Sequence, residues 1–205
     1  AVMASAGIDS ILITSPISTR YKAQVVNAII TEQLTLLLVV DSIEGLSALQ
    51  AEIDDDKHVG LLLDLDASTG RTGLRDNDLL LRLLDTIQND ARFYFAGVQH
   101  YAGHVMHVPE FEKRRDKSMR AWERLADKFA LLEQQGMQPD IVTGGGTGTF
   151  DIDVTLEHLT DIQVGSYIFM DEDFRQVAGA TADRFQGFDL ALTVACTAIS
   201  QPQPS

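Results

Sequence analysis

Apolar residues in this chain occur in six short, nearly continuous runs, separated by longer segments in which they recur every three or four positions. The runs predict strands at residues 8–14, 34–41, 59–66, 93–99, 141–144 and 162–167. In the segments between the runs, the three- to four-residue spacing of apolar positions predicts helices at about 19–31, 43–53, 76–89 and 110–135. Strands apolar on both faces, alternating with helices, are typical of a parallel sheet covered by helices, so the predicted class is α/β.

Polar residues or glycines follow each predicted strand at the point where it ends. In a parallel α/β barrel, the carboxyl ends of the strands converge on one mouth, where active sites lie. The pattern therefore favours a TIM-type (β/α)8 barrel, of which six of the eight strands are visible in this chain. Functional side chains are expected in the segments that follow the strands.

A glycine-rich stretch follows the fifth predicted strand and reads Thr-Gly-Gly-Gly-Thr-Gly-Thr over residues 143–149. Glycines allow the N–H groups of Gly145, Gly146 and Thr147 to converge on phosphate oxygens, and the Thr143 and Thr147 hydroxyls add donors. The stretch lacks the Gly-Lys-Ser/Thr ending of a nucleotide loop and the Gly-x-Gly-x-x-Gly spacing of a dinucleotide turn. A phosphate that belongs to a cofactor fits best, and the alternative is a glycine turn that binds nothing.

Two other residues lie where a barrel mouth would form. Arg71 stands between glycines after the third strand, where its permanent charge suits an anionic oxygen. The alternative is an arginine paired with Asp64 or Asp66 that only holds the loop. Tyr101 follows the fourth strand and is able to stack on a flat ligand or donate to it.

The same segment contains His104 and His107, three residues apart. This spacing suits a metal ion on a helix, but no third ligand of matching type lies nearby in the sequence. Histidines satisfied within a loop are the favoured interpretation, and no metal site is assigned to the chain.

Composition excludes several functions. Sixteen basic and thirty acidic residues give a formal net charge of −14, which opposes binding to nucleic acid or to an anionic membrane surface. No apolar run reaches the roughly 18 residues of a membrane span. The single cysteine, Cys196, excludes an internal disulfide, is expected to be a core residue, and favours a cytoplasmic location.

Two further expectations concern surface and termini. The mixed charges of residues 112–117 predict a solvated helix face. Residues 188–200 form a continuous apolar run that predicts a long strand outside the barrel, and residues 201–205 resemble a linker.

Five segments, taken in order, resemble the fold-type III pyridoxal-phosphate enzymes of the D-threonine aldolase and D-serine dehydratase group, whose barrel is similar to that of alanine racemase. The matching segments are residues 6–14, 66–73, 97–104, 143–149 and 163–171. The resemblance spans about residues 1–200. It implies that Arg71 lies near the phenolic oxygen of the cofactor, that Tyr101 approaches the pyridine nitrogen, and that Gly145, Gly146 and Thr147 hold the phosphate.

The chain also departs from this family. No counterpart of the family's Schiff-base lysine segment occurs, so no catalytic residue is assigned, and the divalent-metal ligands of its C-terminal β domain are absent. Residues 1–187 are therefore expected to be part of a pyridoxal-phosphate-binding barrel without its N-terminal lysine-bearing units. Residues 188–205 are expected to begin the connection to a C-terminal domain.

The resemblance implies a function for the intact protein. The leading hypothesis is a pyridoxal-phosphate-dependent lyase, an aldolase or dehydratase, that acts on D-β-hydroxy amino acids as a cytoplasmic homodimer and also requires a divalent metal. An amino acid racemase on the same scaffold and a non-catalytic pyridoxal-phosphate carrier are the alternatives. A third is a barrel that binds an unrelated phosphorylated metabolite.

Overall fold

A computed structural model of the chain describes residues 1–200, which contain one sheet of six parallel strands. The strands are β1 (Ser10–Ile13), β2 (Thr35–Val40), β3 (Val59–Asp64), β4 (Phe93–His100), β5 (Ile141–Gly144) and β6 (Asp161–Ile162). Each strand pairs in parallel with the next one along the chain, so the sheet order is β1-β2-β3-β4-β5-β6. The predicted α/β class is confirmed, with six of the eight strands of a TIM-type barrel.

Helices connect the strands, and their first turns explain where several of them begin. They are α1 (Val2–Ser5), α2 (Arg20–Asn27), α3 (Ile43–Gln50), α4 (Asn77–Gln88), α5 (Phe111–Glu123), α6 (Ala126–Gln134), α7 (Phe150–Asp153) and α8 (Glu172–Arg175). The side chains of Thr19, Ser42 and Asp76 accept backbone N–H groups at the starts of α2, α3 and α4, at 3.3, 3.2 and 2.8 Å. Such caps satisfy donors that the first turn of a helix leaves without partners.

The sheet has an apolar layer on each face. On the outer face, alternate strand residues such as Leu38 and Leu61 pack with helix residues such as Leu49 and Leu80 in the main core. On the inner face a smaller cluster contains strand residues alone, which are Leu37, Val39, Leu62 and Ala96, with Leu12 and Ile141 against them. This division is what strands buried on both faces require.

A β-bulge in β4 changes which residues of that strand face inward. The pairing register with β3 slips by one residue, so that Leu61 pairs with Phe95 but Leu62 pairs with Gly97. Before the slip Phe93 packs in the outer core, and after it Val98 does so. Gln99 therefore faces inward beside Asp64, with which it is in register.

Two predicted elements differ from the structure. The helix predicted at 110–135 is two helices, α5 and α6, with the break at Arg124 and Leu125, where Leu125 is buried in the core. The strand predicted at 162–167 pairs only at Asp161–Ile162, and residues 166–168 form a 3-10 turn. An edge strand with one neighbour has fewer hydrogen bonds to keep it extended.

The predicted long strand at 188–200 is wrong: these residues have no regular secondary structure. Cys196 is exposed, so its assignment to the core is also wrong. Phe188 and Leu190 pack on side chains of α7 and α8, but most residues after Leu190 are exposed, and within residues 1–200 no strand pairs with the segment. Residues 201–205, interpreted as a linker, lie outside the described residues. None of the described helices is both long enough and apolar enough to cross a bilayer.

Residues 112–117 are exposed, as predicted for a solvated face, with the exception of Arg114. Its side chain is 1% exposed, and its guanidinium donates to the carbonyl oxygens of Val108 at 2.8 Å and Ala178 at 2.5 Å. Burial lowers the pKa of this guanidinium, which also lies 5.5 Å from the centre of the Phe111 ring. Arg114 thus ties the segment after β6 to the loop before α5, a contact that charge patterning does not encode.

Candidate active site

A cavity of about 590 Å³ lies at the carboxyl ends of the strands. Four of the six predicted site residues line it, namely Arg71, Tyr101, Thr143 and Thr147. The other two, Gly145 and Gly146, are buried in the loop between Thr143 and Thr147. The structure therefore brings side chains from the segments after β3, β4 and β5 to one place, as a barrel mouth does.

The glycine-rich loop (residues 144–149) is buried along its whole length. Gly145 has φ +64°, a conformation that favours glycine. A Cβ atom on Gly146 would lie 2.8 Å from the Met106 sulfur and 3.4 Å from the Tyr101 ring, so the backbone packs closely there. Within residues 1–200, the N–H groups of residues 145–148 make no hydrogen bond with the protein. Buried donors without partners are expected to bind an anion.

A buried carboxyl group supports this loop from behind. Asp153 is 1% exposed and accepts hydrogen bonds from the hydroxyls of Ser118, at 2.5 Å, and Thr149. Burial raises the pKa of Asp153, against the lowering effect of these hydrogen bonds. A Cβ atom on Gly145 would collide with the Asp153 carboxylate. The loop and the carboxyl group are therefore fitted to each other.

Arg71 belongs to a second, more open loop, the arginine loop (residues 66–73). Its guanidinium carbon lies 5.4 Å from the centre of the Tyr101 ring, and the residue is exposed. The carboxylate of Asp66 pairs instead with Arg75, at 2.6 Å. Within residues 1–200, Arg71 forms no salt bridge with Asp66 or with Asp64, whose Oδ1 atom accepts from Gln99, and Arg71 lines the cavity.

His107 also lines the cavity, although the sequence analysis predicted only a histidine satisfied within a loop. Its Nδ1 atom lies 2.6 Å from the carboxylate of Asp173, and its ring centre is 4.5 Å from that of Phe174. A carboxylate on one imidazole nitrogen fixes the ring and leaves the other nitrogen for a ligand. His104 does not line the cavity, and residues 1–200 contain no cluster of three or more side chains suited to a metal ion.

The pairing of His107 with Asp173 had no signal in the sequence, because 66 residues separate the two. Asp173 reaches His107 only because α8 begins just after the turn that follows β6, where Asp171 caps the helix by accepting the Phe174 N–H at 2.9 Å. The only signal in the sequence for a role of His107 was its position just after a strand end, where the barrel mouth was predicted.

The comparison with known families agrees with this geometry. Residues 3–173 match the family described as alanine racemase, N-terminal domain. The chain belongs to this family. The family resemblance predicted from the ordered motifs is therefore confirmed.

Individual relatives are similar to the chain over most of its length. It is 34% identical to D-threonine aldolase from Arthrobacter sp. over 80% of this chain and 43% of that protein. It is 27% identical to 3-hydroxy-D-aspartate aldolase from Paracoccus denitrificans (strain Pd 1222) over 98% of this chain and 53% of that protein. The crystal structure of D-threonine aldolase from Filomicrobium marinum superposes with a TM-score of 0.82 at 28% identity, over 93% of this chain and 51% of that one. The chain thus spans about half the length of these relatives.

Proposed function

We propose that the complete protein is a pyridoxal-phosphate-dependent lyase that acts on D-β-hydroxy amino acids. The observation that carries the proposal is that the N–H groups of residues 145–148 have no hydrogen-bond partner within residues 1–200 and lie beside a cavity lined by Arg71, Tyr101 and Thr147. The two aldolases named above support the reaction class. The six-stranded sheet with its cavity supports the barrel on which such chemistry takes place.

The residues present fit pyridoxal phosphate. The N–H groups of Gly145, Gly146 and Thr147 would bind its phosphate, and Thr143 lines the same cavity. Arg71 would donate to the phenolic oxygen, and Tyr101 would approach the ring nitrogen. The bound cofactor supplies an electron sink for the negative charge that develops at the substrate Cα.

His107 is the residue we propose to move the proton. Its Nε2 atom would accept the proton of the substrate β-hydroxyl as the Cα–Cβ bond breaks, which releases an aldehyde. Asp173 would stabilise the imidazolium that forms and keep the ring oriented. Substitution His107→Asn should lower kcat by about 100-fold or more. It should leave cofactor affinity nearly unchanged, because the phosphate loop is intact.

Other parts of the proposal rest on the family. A divalent metal ion that orients the hydroxyl, a homodimeric assembly and a connection to a further domain after residue 187 remain predictions. Size-exclusion chromatography with light scattering tests the dimer. Metal analysis of the purified complete protein, before and after chelation, tests the metal.

The decisive experiment is an assay of the complete protein with pyridoxal phosphate and Mn²⁺ or Mg²⁺. D-Threonine and 3-hydroxy-D-aspartate should yield glycine and an aldehyde, whereas L-threonine should not react. A keto acid with ammonia would identify a dehydratase, and inversion at Cα would identify a racemase. Cofactor binding without turnover of any of these substrates would favour a carrier, and absence of cofactor binding would refute the proposal.

A further inference from the structure

Next to the cavity lies a line of polar side chains, and the proposed function gives a role to only one of them, Thr143. They are Asp64 at the end of β3, Gln99 in β4, Thr143 in β5 and Gln163 after β6, and we call them the polar chain. Asp64, Gln99 and Thr143 are 3%, 2% and 1% exposed. Within residues 1–200, Asp64 Oδ2 is buried without a hydrogen-bond partner, but Asp64 Oδ1 and the amides of Gln99 and Gln163 have partners, so the roles of these groups can be assigned one by one.

The orientation of the Gln99 amide is determined by two neighbours that accept hydrogen bonds. Its nitrogen donates to Asp64 Oδ1 at 3.0 Å and to the Thr14 carbonyl oxygen at 3.0 Å. These two bonds use both of its N–H groups. A reversed amide would place its oxygen against the Thr14 carbonyl oxygen, which can only accept hydrogen bonds, so the observed orientation is preferred. The Gln99 oxygen therefore points towards Gln163.

The orientation of Gln163 follows from that of Gln99. The Gln163 nitrogen donates to the Gln99 oxygen at 3.0 Å and to the Thr143 hydroxyl at 3.3 Å. Both N–H groups are again used, which leaves only the amide oxygen. No donor among residues 1–200 contacts this oxygen, and Gln163 lines the cavity.

We infer that Gln99 is a positioning residue that fixes Gln163 so that its amide oxygen accepts a hydrogen bond from the bound ligand. The inference rests on the proposed function, since the ligand is pyridoxal phosphate or the amino acid that reacts on it. The group it recognises is an N–H or O–H donor. Without Gln99, the remaining partner of Gln163 is the Thr143 hydroxyl, which accepts or donates equally well, so the amide could turn its nitrogen to the cavity.

The test is a double-mutant cycle in the complete protein with Gln99→Met and Gln163→Met, which keep side-chain length and remove polarity. Pyridoxal phosphate affinity is measured by absorbance titration, and KM and kcat are measured with D-threonine. Gln163→Met should weaken binding about three- to tenfold, the effect of one hydrogen bond. Gln99→Met should produce part of this loss, and the double variant should be no worse than Gln163→Met.

The two measurements identify the donor. Weaker binding of pyridoxal phosphate places the donor on the cofactor, whereas unchanged cofactor affinity with a raised KM places it on the amino acid. Either result supports the inference. Multiplicative effects in the double variant, or no change in either measurement, would overturn it. Thr160→Val is the matched control, because the Thr160 hydroxyl accepts from the Val142 N–H beside the same strands but does not line the cavity.

Two outcomes call for a further measurement: a variant that does not fold, and a wild-type protein that does not bind the cofactor. Gln99→Met leaves the buried Asp64 carboxyl group without its donor, and this loss alone can prevent the variant from folding. In that case the double variant Asp64→Leu, Gln99→Met takes the place of Gln99→Met in the cycle, because it removes the buried carboxyl group as well. If the wild-type protein binds no pyridoxal phosphate, the proposed function fails. The same cycle in the free energy of unfolding then decides the inference: coupled effects support a fixed Gln163 amide, and additive effects overturn it.

Discussion

The two loops that meet at the cavity are built in opposite ways. The glycine-rich loop is buried throughout, and the buried carboxyl of Asp153 supports it from behind. In the arginine loop, residues 68–71 are exposed, and the ion pair between Asp66 and Arg75 involves an arginine side chain that is 66% exposed. A phosphate site made of backbone N–H groups requires a backbone that is already in place, whereas a long arginine side chain can adjust to its ligand.

This comparison predicts that substitutions in the glycine-rich loop change both folding stability and ligand affinity. Substitutions in the arginine loop should change affinity alone or neither property. Five tests follow in decreasing order of expected effect, and all use the complete protein.

Gly145→Ala should have the largest effect. The added methyl group meets the Asp153 carboxylate, and φ +64° strains any residue with a Cβ atom. The free energy of unfolding should fall by about 2–4 kcal/mol, and pyridoxal phosphate binding should be lost. Chemical denaturation and absorbance titration measure the two quantities. Gly179→Ala is the control, because nothing lies within 4 Å of a Cβ atom there. Equal effects at both glycines would show that the loop is not tightly fitted.

Asp153→Ala should be the next most damaging, since it leaves the buried hydroxyls of Ser118 and Thr149 without their acceptor. A loss of about 2–3 kcal/mol in the free energy of unfolding is expected, with weaker cofactor binding. Asp153→Asn should retain much of the stability because its amide oxygen still accepts a hydrogen bond. If Asp153→Ala is as stable as the wild type, the support from behind the loop is not needed.

The same carboxyl group predicts a pH dependence. Burial raises the pKa of Asp153 above its ordinary value of 3.8, so the folded state holds this proton more tightly than the unfolded state does. Its contribution to stability is fully present below the unfolded pKa and is lost as the pH rises through the folded pKa. As the pH is raised from 4, the free energy of unfolding of Asp153→Asn should therefore increase relative to that of the wild type. A difference in unfolding free energy that stays constant with pH would mean that Asp153 does not titrate in the measured pH range.

Arg71→Ala should separate affinity from stability. Its guanidinium faces the cavity and makes no salt bridge within residues 1–200, so the free energy of unfolding should change little. Loss of a charged hydrogen-bond donor should weaken pyridoxal phosphate binding by about 10- to 100-fold. Arg71→Lys tests whether charge alone is enough. A large loss of stability in Arg71→Ala would remove the contrast between the loops.

Asp66→Ala should have the smallest effect, although it removes a salt bridge of 2.6 Å. The Asp66 side chain is only 7% exposed, but the Arg75 side chain is 66% exposed, and water competing for the arginine keeps the contribution of the pair at about 1 kcal/mol. Cofactor affinity should remain within about threefold of the wild type. Arg20→Ala breaks the exposed pair with Glu52, far from the cavity, and serves as the comparison. An effect of Asp66→Ala well above that of Arg20→Ala would show that the ion pair orders the arginine loop.

Local patterns predicted much of the fold and part of the site. Continuous apolar runs identified all six strands, and the side-chain caps Thr19, Ser42 and Asp76 lie at or beside the predicted helix starts. The prediction failed where neighbours decide the outcome. Residues 188–200 are apolar enough for a strand, but a strand needs a partner and none is present among residues 1–200.

The charged segment 112–117 shows the same limit. Arg114 is as charged as its neighbours, but the carbonyl oxygens of Val108 and of the distant Ala178 accept from its guanidinium and let it be buried. Nothing in the local sequence distinguishes it from Arg115, which is exposed. Burial of a charge depends on partners that only folding assembles.

The sequence by itself determined the α/β class, the family and the four predicted side chains that line the cavity. These features depend on local periodicity and on motifs that follow strand ends, which the chain order preserves. Only the tertiary structure decided that His107 meets Asp173, that Asp153 supports the glycine-rich loop, and that Gln99 faces Asp64. The last depends on one β-bulge in β4, because a shift of one residue in a strand sends every later side chain to the opposite face.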